Sequence, residues 1–211
     1  MDVISLFLGL VVTAIIVGII VILSHTPQEQ KTSDSGEKIK GTNFIPSQMI
    51  MGTDGLSGLA INERTRQICL LKSPTSAPHL LPITDLIGSY FIKNGELSGE
   101  GKRAYPKETV TFLNQLQRKK EALIKSLHIT ASHGSNQRID VLVVTHDQDD
   151  PFHVVNFLDM ETKEGGILFE KAMSTATHWH YVLDGLILQA DQLAQHQNVP
   201  TQEKEMAETA S

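Results

Sequence analysis

The first 23 residues contain the strongest single constraint on how this chain can fold. Residues 3–23, VISLFLGLVVTAIIVGIIVIL, are 21 consecutive positions without a charge, and 16 of them are Leu, Ile, Val or Phe. A helix of this length would measure about 31 Å, close to the roughly 30 Å hydrocarbon core of a bilayer. The run lacks the basic start and small-residue cleavage pattern of a signal peptide. It therefore predicts an uncleaved transmembrane anchor over residues 1–23.

The distribution of basic residues gives this predicted anchor an orientation. No Lys or Arg precedes the run, whereas Lys31, Lys38 and Lys40 follow it. Because basic residues favour the cytoplasmic side of a span, we expect the rest of the chain to lie in the cytoplasm. The single cysteine, Cys69, cannot form an internal disulfide and agrees with that compartment.

Two polar segments frame the part of the chain that is expected to fold. Residues 24–42 contain one strong hydrophobe, Ile39, and have the composition of a flexible linker. Residues 196–211 are similarly polar and predict a disordered tail. The folded unit is therefore expected over residues 43–195, a length suited to one domain. The net charge of −6 argues against nucleic acid binding, which requires a basic surface.

Short apolar runs separated by turn signals dominate most of this unit. Asp54-Gly55 and Asn94-Gly95 are typical turn dipeptides. Several short runs at this spacing predict an antiparallel sandwich or barrel. The last run carries apolar groups on both faces, which favours a central strand of a small closed barrel. The predicted strands lie within residues 47–53, 58–63, 64–72, 79–96, 138–146 and 151–159.

The hydrophobic period changes from two residues to 3.6 near the end of the domain. From residue 172 onward, apolar residues recur in alternating steps of four and three, which is one stripe of an amphipathic helix. No proline interrupts residues 168–195. We expect the stripe to form the core-facing side of a long C-terminal helix, with Trp179 buried against the sheet. Its core residues are Ala172, Ala176, Trp179, Leu183 and Leu186.

A basic segment interrupts the predicted strands at residues 97–127 and is expected to be helical. Residues 93–125 contain eight Lys or Arg and four Glu, an excess of four positive charges in an acidic chain. The densest cluster is Arg118, Lys119 and Lys120, which is a candidate contact for anionic lipid head groups or for a protein partner. A solvated helix face without any ligand is the alternative interpretation.

Catalytic and metal-binding motifs are weak throughout the chain. His178 and His180 lie two residues apart on the predicted helix and would point about 200° apart around its axis, so they cannot share one ion. The segment HDQDDPFH, residues 146–153, lacks the Gly and Glu that an EF-hand loop requires. We predict no catalytic residue, no cofactor, no metal ion and no enzymatic activity. A hydrolase that uses His153 or His180 with a nearby Asp is the remaining enzymatic alternative.

Four segments of the chain resemble uncharacterised bacterial pleckstrin-homology-like (PH-like) proteins. They are GLAINERTRQICLL, ITDLIGSYFIKNGE, FHVVNFLD and AMSTATHWHYVLDGLILQAD. The spacing of Ala172, Ala176 and Trp179 is similar to that of the helix that closes the barrel in this family. The resemblance implies an α+β fold in which a small antiparallel β-barrel or sandwich is closed by a long C-terminal amphipathic helix. It supplies no catalytic residues.

Anchor, domain and resemblance together predict a membrane-tethered, non-catalytic PH-like module. We expect a single-pass protein of the bacterial inner (cytoplasmic) membrane with its domain in the cytoplasm. The expected ligand is a protein partner or an anionic lipid head group, and the residues indicate no particular small molecule. The alternative is a structural subunit of a membrane assembly, in which the C-terminal helix packs against a neighbour or against a second copy of the chain.

Overall fold

A computed structural model describes residues 29–30, 38–73, 75–130 and 136–197. Within these ranges the chain is an α+β protein with two antiparallel sheets and three α-helices. The strands are β1 Glu29–Gln30, β2 Gln48–Met51, β3 Gly58–Asn62, β4 Gln67–Leu71, β5 His79–Pro82, β6 Leu86–Lys93, β7 Glu96–Lys102, β8 Asn136–Thr145 and β9 Phe152–Glu161. The helices are α1 Lys107–Gln115, α2 Gln117–Thr130 and α3 Ile167–Gln197, and a 3-10 turn covers Ile83–Asp85.

The first sheet is an antiparallel meander with the strand order β1-β2-β3-β4-β5. Its β2–β3 turn is built by two adjacent residues. Gly55 adopts a positive φ of 64°, and the Asp54 carboxylate accepts hydrogen bonds from the N–H groups of Leu56 and Ser57 at 2.9 and 3.0 Å. A side chain that bonds the backbone two and three residues ahead holds such a turn closed. This turn later forms one wall of the candidate site.

The second sheet has the strand order β7-β6-β8-β9. The predicted turn between β6 and β7 is a two-residue hairpin in which Asn94 and Gly95 both have positive φ, as expected for a tight β-hairpin. Strand β7 falls in the segment that was predicted to be helical. It is a strand because the Asn94-Gly95 hairpin pairs it with β6. Its glycines let it lie close to α3, since a Cβ on Gly101 would collide with the Asp184 carboxylate.

One hydrophobic core lies between the two sheets and the inner side of α3. Leu59 and Ile68 from the first sheet and Val141 and Phe157 from the second contribute to it. The residues of the predicted helical stripe complete it, and none is more than 9% exposed. They are Ala172, Ala176, Trp179, Leu183 and Leu186.

A second core covers the opposite face of the β6–β8–β9 region. There Tyr90 and Leu142 pack with Leu113 and Leu116 of the α1–α2 segment. The sheet is therefore covered on both sides by other elements of the chain, which accounts for the apolar residues on both faces of β9.

The predicted closed barrel is wrong. The two sheets remain separate: β5 continues into β6 through the 3-10 turn without pairing with it, and among the described residues β9 pairs with β8 alone. Apolar residues on both faces of β9 were interpreted as evidence of barrel closure. The structure shows that an edge strand gains the same two-sided burial when helices cover one face and a second sheet covers the other.

The predicted transmembrane anchor over residues 1–23 lies outside the described residues. Within the described part of the chain, no helix is both long and apolar enough to cross a bilayer. The longest, α3, uses its apolar stripe in the core and carries Glu170, Lys171, Asp184 and Asp191 elsewhere. This corrects the expectation of a single-pass integral membrane protein, and we also withdraw the membrane partner and the cytoplasmic-membrane localisation that depended on it.

Candidate functional site

A polar pocket of about 270 Å³ lies where the β2–β3 turn meets strands β8 and β9. We call it the seam pocket, because its walls come from both sheets. The turn contributes two of its residues and the strands contribute the other five. The lining residues are Thr53, Asp54, Arg138, Asn156, Leu158, Asp159 and Met160.

Asn156 is the residue that joins the two walls of the seam pocket. Its carbonyl oxygen accepts a hydrogen bond from the Thr53 N–H at 2.8 Å, and its side-chain oxygen accepts one from the Thr53 hydroxyl. Its side-chain amide donates to the Asp140 carboxylate at 2.8 Å and to the Leu158 carbonyl at 3.1 Å. Asn156 is 5% exposed and all of these bonds are internal, so its orientation is fixed.

A buried carboxylate holds the guanidinium of Arg138 in place beneath the pocket. Asp140 is fully buried, and its two oxygens accept from Arg138 Nε at 2.7 Å and Nη2 at 3.3 Å. Burial raises the pKa of the Asp140 carboxyl, while the hydrogen bonds from Arg138 and Asn156 oppose this shift. A bidentate pair of this kind fixes the position of the guanidinium plane.

Two exposed carboxylates give the mouth of the seam pocket a negative charge. Asp159 accepts from Arg138 Nη1 at 3.1 Å, and Asp54 closes the β2–β3 turn. Arg138 is paired with the buried Asp140. The carboxylates of Asp54 and Asp159 therefore leave the mouth of the pocket with a net charge of about −1 to −2. The pocket therefore favours a cationic group over an anionic one.

The polar groups that line the seam pocket are suited to holding a ligand. They are the Thr53 hydroxyl, the carboxylates of Asp54 and Asp159, the Asn156 amide and the Arg138 guanidinium, which bind through charge and hydrogen bonds. No group of three or more His, Cys, Asp or Glu in the described ranges is arranged to hold a metal ion. The pocket could bind a ligand, and its own side chains are already fixed in position to do so.

The three residues of the HWH sequence on α3, residues 178–180, lie in three different environments. Trp179 is fully buried in the core, His178 is exposed with its ring against the edge of the indole, and His180 is 8% exposed. Nδ1 of His180 lies 3.0 Å from the Ser89 hydroxyl, which is itself fully buried. Burial lowers the pKa of His180, and the charge of Asp184 opposes that shift. The two imidazoles do not converge.

The second histidine considered for catalysis, His153, links the two sheets. Its Nε2 donates to the Gly58 carbonyl of β3 at 2.8 Å, and the side chain is buried. Burial lowers the pKa of His153. His153 and His180 are 4% and 8% exposed, and a hydrogen bond joins each ring to another part of the fold.

The basic cluster of α2 is divided by the fold. Arg118 and Lys119 are exposed, whereas Lys120 is 6% exposed and its ammonium lies 4.0 Å from the centre of the Tyr90 ring. Burial lowers the pKa of Lys120 and raises that of Tyr90 to about 12. A cation–π contact of this kind stabilises the helix on the sheet. Two of the three residues are thus left for contact with a partner or lipid.

The acidic hairpin at residues 146–153 is held by local bonds. Asp147 accepts from the N–H groups of Asp149 and Asp150 at 2.9 and 3.2 Å, and these bonds lower its pKa. Asp150 pairs with Lys72 of the neighbouring sheet. The carboxylates therefore shape and fix a turn.

No sequence motif identified the seam pocket, although two polar residues within buried strands signal it. Asp140 interrupts the apolar run of β8, and Asn156 interrupts that of β9. A polar residue inside a buried strand must find a partner, so two of them on consecutive strands could have been interpreted as a pair. The sequence gives no sign that Thr53 contacts Asn156, because the two residues lie 103 positions apart.

The buried histidines predict a loss of stability in acid. Because His153 and His180 have lower pKa values folded than unfolded, their contribution is complete above the unfolded value of about 6.5 and is lost as the pH falls through the folded values. We expect urea midpoints to decrease between about pH 7.5 and pH 5.5. His153→Gln keeps a donor near the Nε2 position and does not titrate, so it should reduce this dependence. Exposed His196→Gln is the control, and an equal pH dependence in His153→Gln would contradict the assignment.

Comparison with known proteins gives no match, so the function of the chain is inferred from the geometry of the site. No protein-family model matches the chain, and no curated protein or solved structure is significantly similar to it. The resemblance to PH-like proteins therefore remains an expectation from the sequence.

Proposed function

We propose that this chain is a non-catalytic protein-binding module whose seam pocket takes a basic side chain of the partner. The observation that carries the proposal is the pair of exposed carboxylates, Asp54 and Asp159, at the mouth of a pocket whose other polar groups are bonded to one another. A lysine or arginine side chain is the group in a protein partner that such a mouth attracts.

The size of the seam pocket supports a single side chain as the ligand. Pockets for cofactors and drug-sized molecules usually have volumes of about 300–1,000 Å³. The seam pocket, at about 270 Å³, falls below that range. Met160, which is partly buried, adds an apolar surface along which the methylene groups of a long basic side chain can pack.

The fixed side chains of the seam pocket support a binding role. Asn156 and Arg138 are held by several hydrogen bonds each, so a ligand would meet a fixed surface and lose little affinity to side-chain ordering. Anionic lipid head groups are the weaker alternative ligand: the pocket mouth repels them, and Lys120 of the basic cluster is turned inward.

Titration with short peptides tests the proposal on the full chain. Amide chemical shifts would be followed by NMR while adding neutral peptides that carry one central lysine, arginine, glutamate or leucine. We expect saturable shifts at Thr53, Asp54 and Asp159 with the basic peptides alone, at dissociation constants in the millimolar range, which is about −4 kcal/mol. Equal shifts with the glutamate peptide would overturn the proposal.

A matched pair of variants separates the pocket from general surface charge. Asp159→Asn should weaken binding of the basic peptides by about threefold or more, because it removes a carboxylate from the mouth. Glu164→Gln removes a carboxylate that pairs with Lys93 away from the pocket, so it should leave binding unchanged. If both variants had the same effect, the binding would come from net charge and the pocket assignment would fail.

A further inference from the structure

The outer edge of β9, the side of residues 156–161 that faces away from β8, borders the seam pocket. Among the described residues no strand pairs with β9 on this side. The β2–β3 turn reaches the outer edge at Asn156, whose carbonyl accepts from the Thr53 N–H at 2.8 Å and whose N–H donates to the Ser57 hydroxyl at 3.4 Å. The edge of β9 is thus already joined by main chain from another part of the molecule.

The turn makes this contact over a single residue of β9. Gly52 allows the approach, since a Cβ there would lie 3.0 Å from the Asn156 carbonyl oxygen and 2.5 Å from the Ser57 hydroxyl oxygen. The chain then reverses through Asp54 and Gly55 into β3. The turn therefore leads away from β9 before it reaches Asp159.

The backbone groups of Asp159 point toward the outer edge. Asp159 lies opposite Arg138 in the β8–β9 ladder. The Arg138 N–H donates to Asn94 Oδ1 and its carbonyl accepts from the Asn94 N–H, each at 2.8 Å, so both groups point away from β9. In an antiparallel ladder, pairs that exchange two hydrogen bonds alternate with pairs whose backbone groups point apart. Arg138 and Asp159 are a pair of the second kind.

A β-bulge explains why Asn156 and Asp159 both point outward although they lie three positions apart. The register of β8 and β9 shifts between Ile139, which is opposite Leu158, and Asp140, which is opposite Asn156. The extra residue on β9 changes the alternation by one position. Two outward-facing backbone sites therefore flank the seam pocket, and the β2–β3 turn occupies the one at Asn156.

The side chains along the outer edge select the charge of a segment that joins it. Asp159 and Glu161 are exposed, and the Asp159 carboxylate accepts from Arg138 Nη1 on the same face of the sheet. A residue directly opposite Asp159 on an added strand would lie on that face too, so a basic side chain would meet the carboxylate. The β9 edge of a second copy would instead set acidic side chains against each other.

We infer that the partner binds as an extended segment that adds antiparallel to the outer edge of β9, with its basic residue directly opposite Asp159. That residue donates its N–H to the Asp159 carbonyl and accepts from the Asp159 N–H, while its side chain enters the seam pocket. The inference rests on the proposed function, because it describes how the backbone delivers the same side chain. Main-chain hydrogen bonds hold an extended segment, and the pocket selects a basic one.

Single N-methyl groups on a short peptide with one central lysine test the inference on the full chain. Methylation of the lysine nitrogen removes the donor to the Asp159 carbonyl and should weaken binding by about fivefold or more. Methylation of the following residue is the matched control, because that N–H points away from β9 in an antiparallel pair, and it should change the affinity by less than about twofold. Both peptides keep the lysine side chain, so a difference between them reports backbone pairing.

Hydrogen exchange provides an independent measurement on the protein. Saturation with the unmethylated lysine peptide should slow exchange of the Asp159 N–H by about threefold or more, because this amide becomes hydrogen-bonded. Met160 lies opposite Gln137, at the next pair of the ladder, so its N–H points toward β8. The Met160 amide is therefore the control and should exchange at an unchanged rate.

The possible failures of the two proposals can be told apart. Equal binding of the two methylated peptides would overturn the inference and leave the proposed function standing, since the side chain would then bind without backbone pairing. Weaker binding of the control peptide alone would indicate a parallel strand and contradict the register. Concentration-dependent shifts at Asp159 without peptide would assign the outer edge to a second copy. If no basic peptide bound, both proposals would fail.

Discussion

Replacing Asp191 with alanine is expected to lower the free energy of unfolding by about 3–5 kcal/mol. Asp191 and Arg103 form an ion pair whose side chains are 9% and 2% exposed. The Asp191 carboxylate also accepts from the N–H groups of Ala104 and Tyr105 at 2.9 and 3.2 Å. Its removal leaves the buried charge of the Arg103 guanidinium without a counter-ion, with only backbone carbonyls of the described residues as acceptors, and leaves two backbone N–H groups without their acceptor. It also frees the end of β7 from α3. Urea denaturation monitored by circular dichroism measures the loss.

A double variant distinguishes the cost of a broken pair from the value of the pair itself. Arg103→Met combined with Asp191→Leu removes both charges, and we expect it to recover a large part of the stability, since no buried charge is then left uncompensated. Glu164→Gln breaks the exposed pair with Lys93 and should cost less than about 1 kcal/mol. A loss of that size in Asp191→Ala would show that the pair is solvated and would contradict its assigned role.

Replacing Trp179 with alanine should also reduce stability by about 3–5 kcal/mol, through the cavity that it leaves. Trp179 is fully buried in the core that both sheets share with α3. The cavity therefore lies inside the packed core, where the surrounding side chains relax only partly to fill it. Trp179→Phe should cost clearly less: it keeps much of the contact and removes an indole N–H that has no acceptor within the described residues.

Tyr181 on α3 provides a matched control for Trp179. Tyr181 lies two positions away and is 68% exposed. Tyr181→Ala should change the free energy of unfolding by no more than about 0.5 kcal/mol. A similar loss in Trp179→Ala and Tyr181→Ala would mean that helix propensity, and not core packing, dominates both effects.

The residues of α3 that stabilise the fold lie on one side of the helix. Trp179 and Asp191 face the core and β7, while Tyr181 and Leu188 face outward. Asp184 lies between the two sides, with its carboxylate against the backbone at Gly101 of β7. Substitutions at Tyr181 and Leu188 should therefore leave the packing of the core unchanged.

Local sequence patterns were informative where a single element decides the structure. The steps of four and three after residue 172 identified the core side of α3, because side-chain direction in a helix depends on spacing alone. Asn94-Gly95 gave the β6–β7 turn for a similar reason, since few residue pairs tolerate two positive φ angles. These features required no knowledge of the rest of the chain.

Patterns that depend on neighbours were misread. The polar, glycine-containing strand β7 lies in a segment predicted to be helical, because it has no alternating apolar residues to reveal it. Apolar residues on both faces of β9 predict a barrel, whereas the second face packs against the α1–α2 segment. In each case the missing information was which element lies alongside.

What the sequence by itself determined are the turns, the strand-forming runs and the inward stripe of α3, all of which follow from local backbone preference and side-chain period. Only the tertiary structure decided that two sheets stay open, that Arg103 meets Asp191 and that Thr53 closes on Asn156. These contacts join residues about 90 to 100 positions apart. No local rule fixes such distant pairs, because they depend on how whole elements pack, and the seam pocket exists only once that packing is complete.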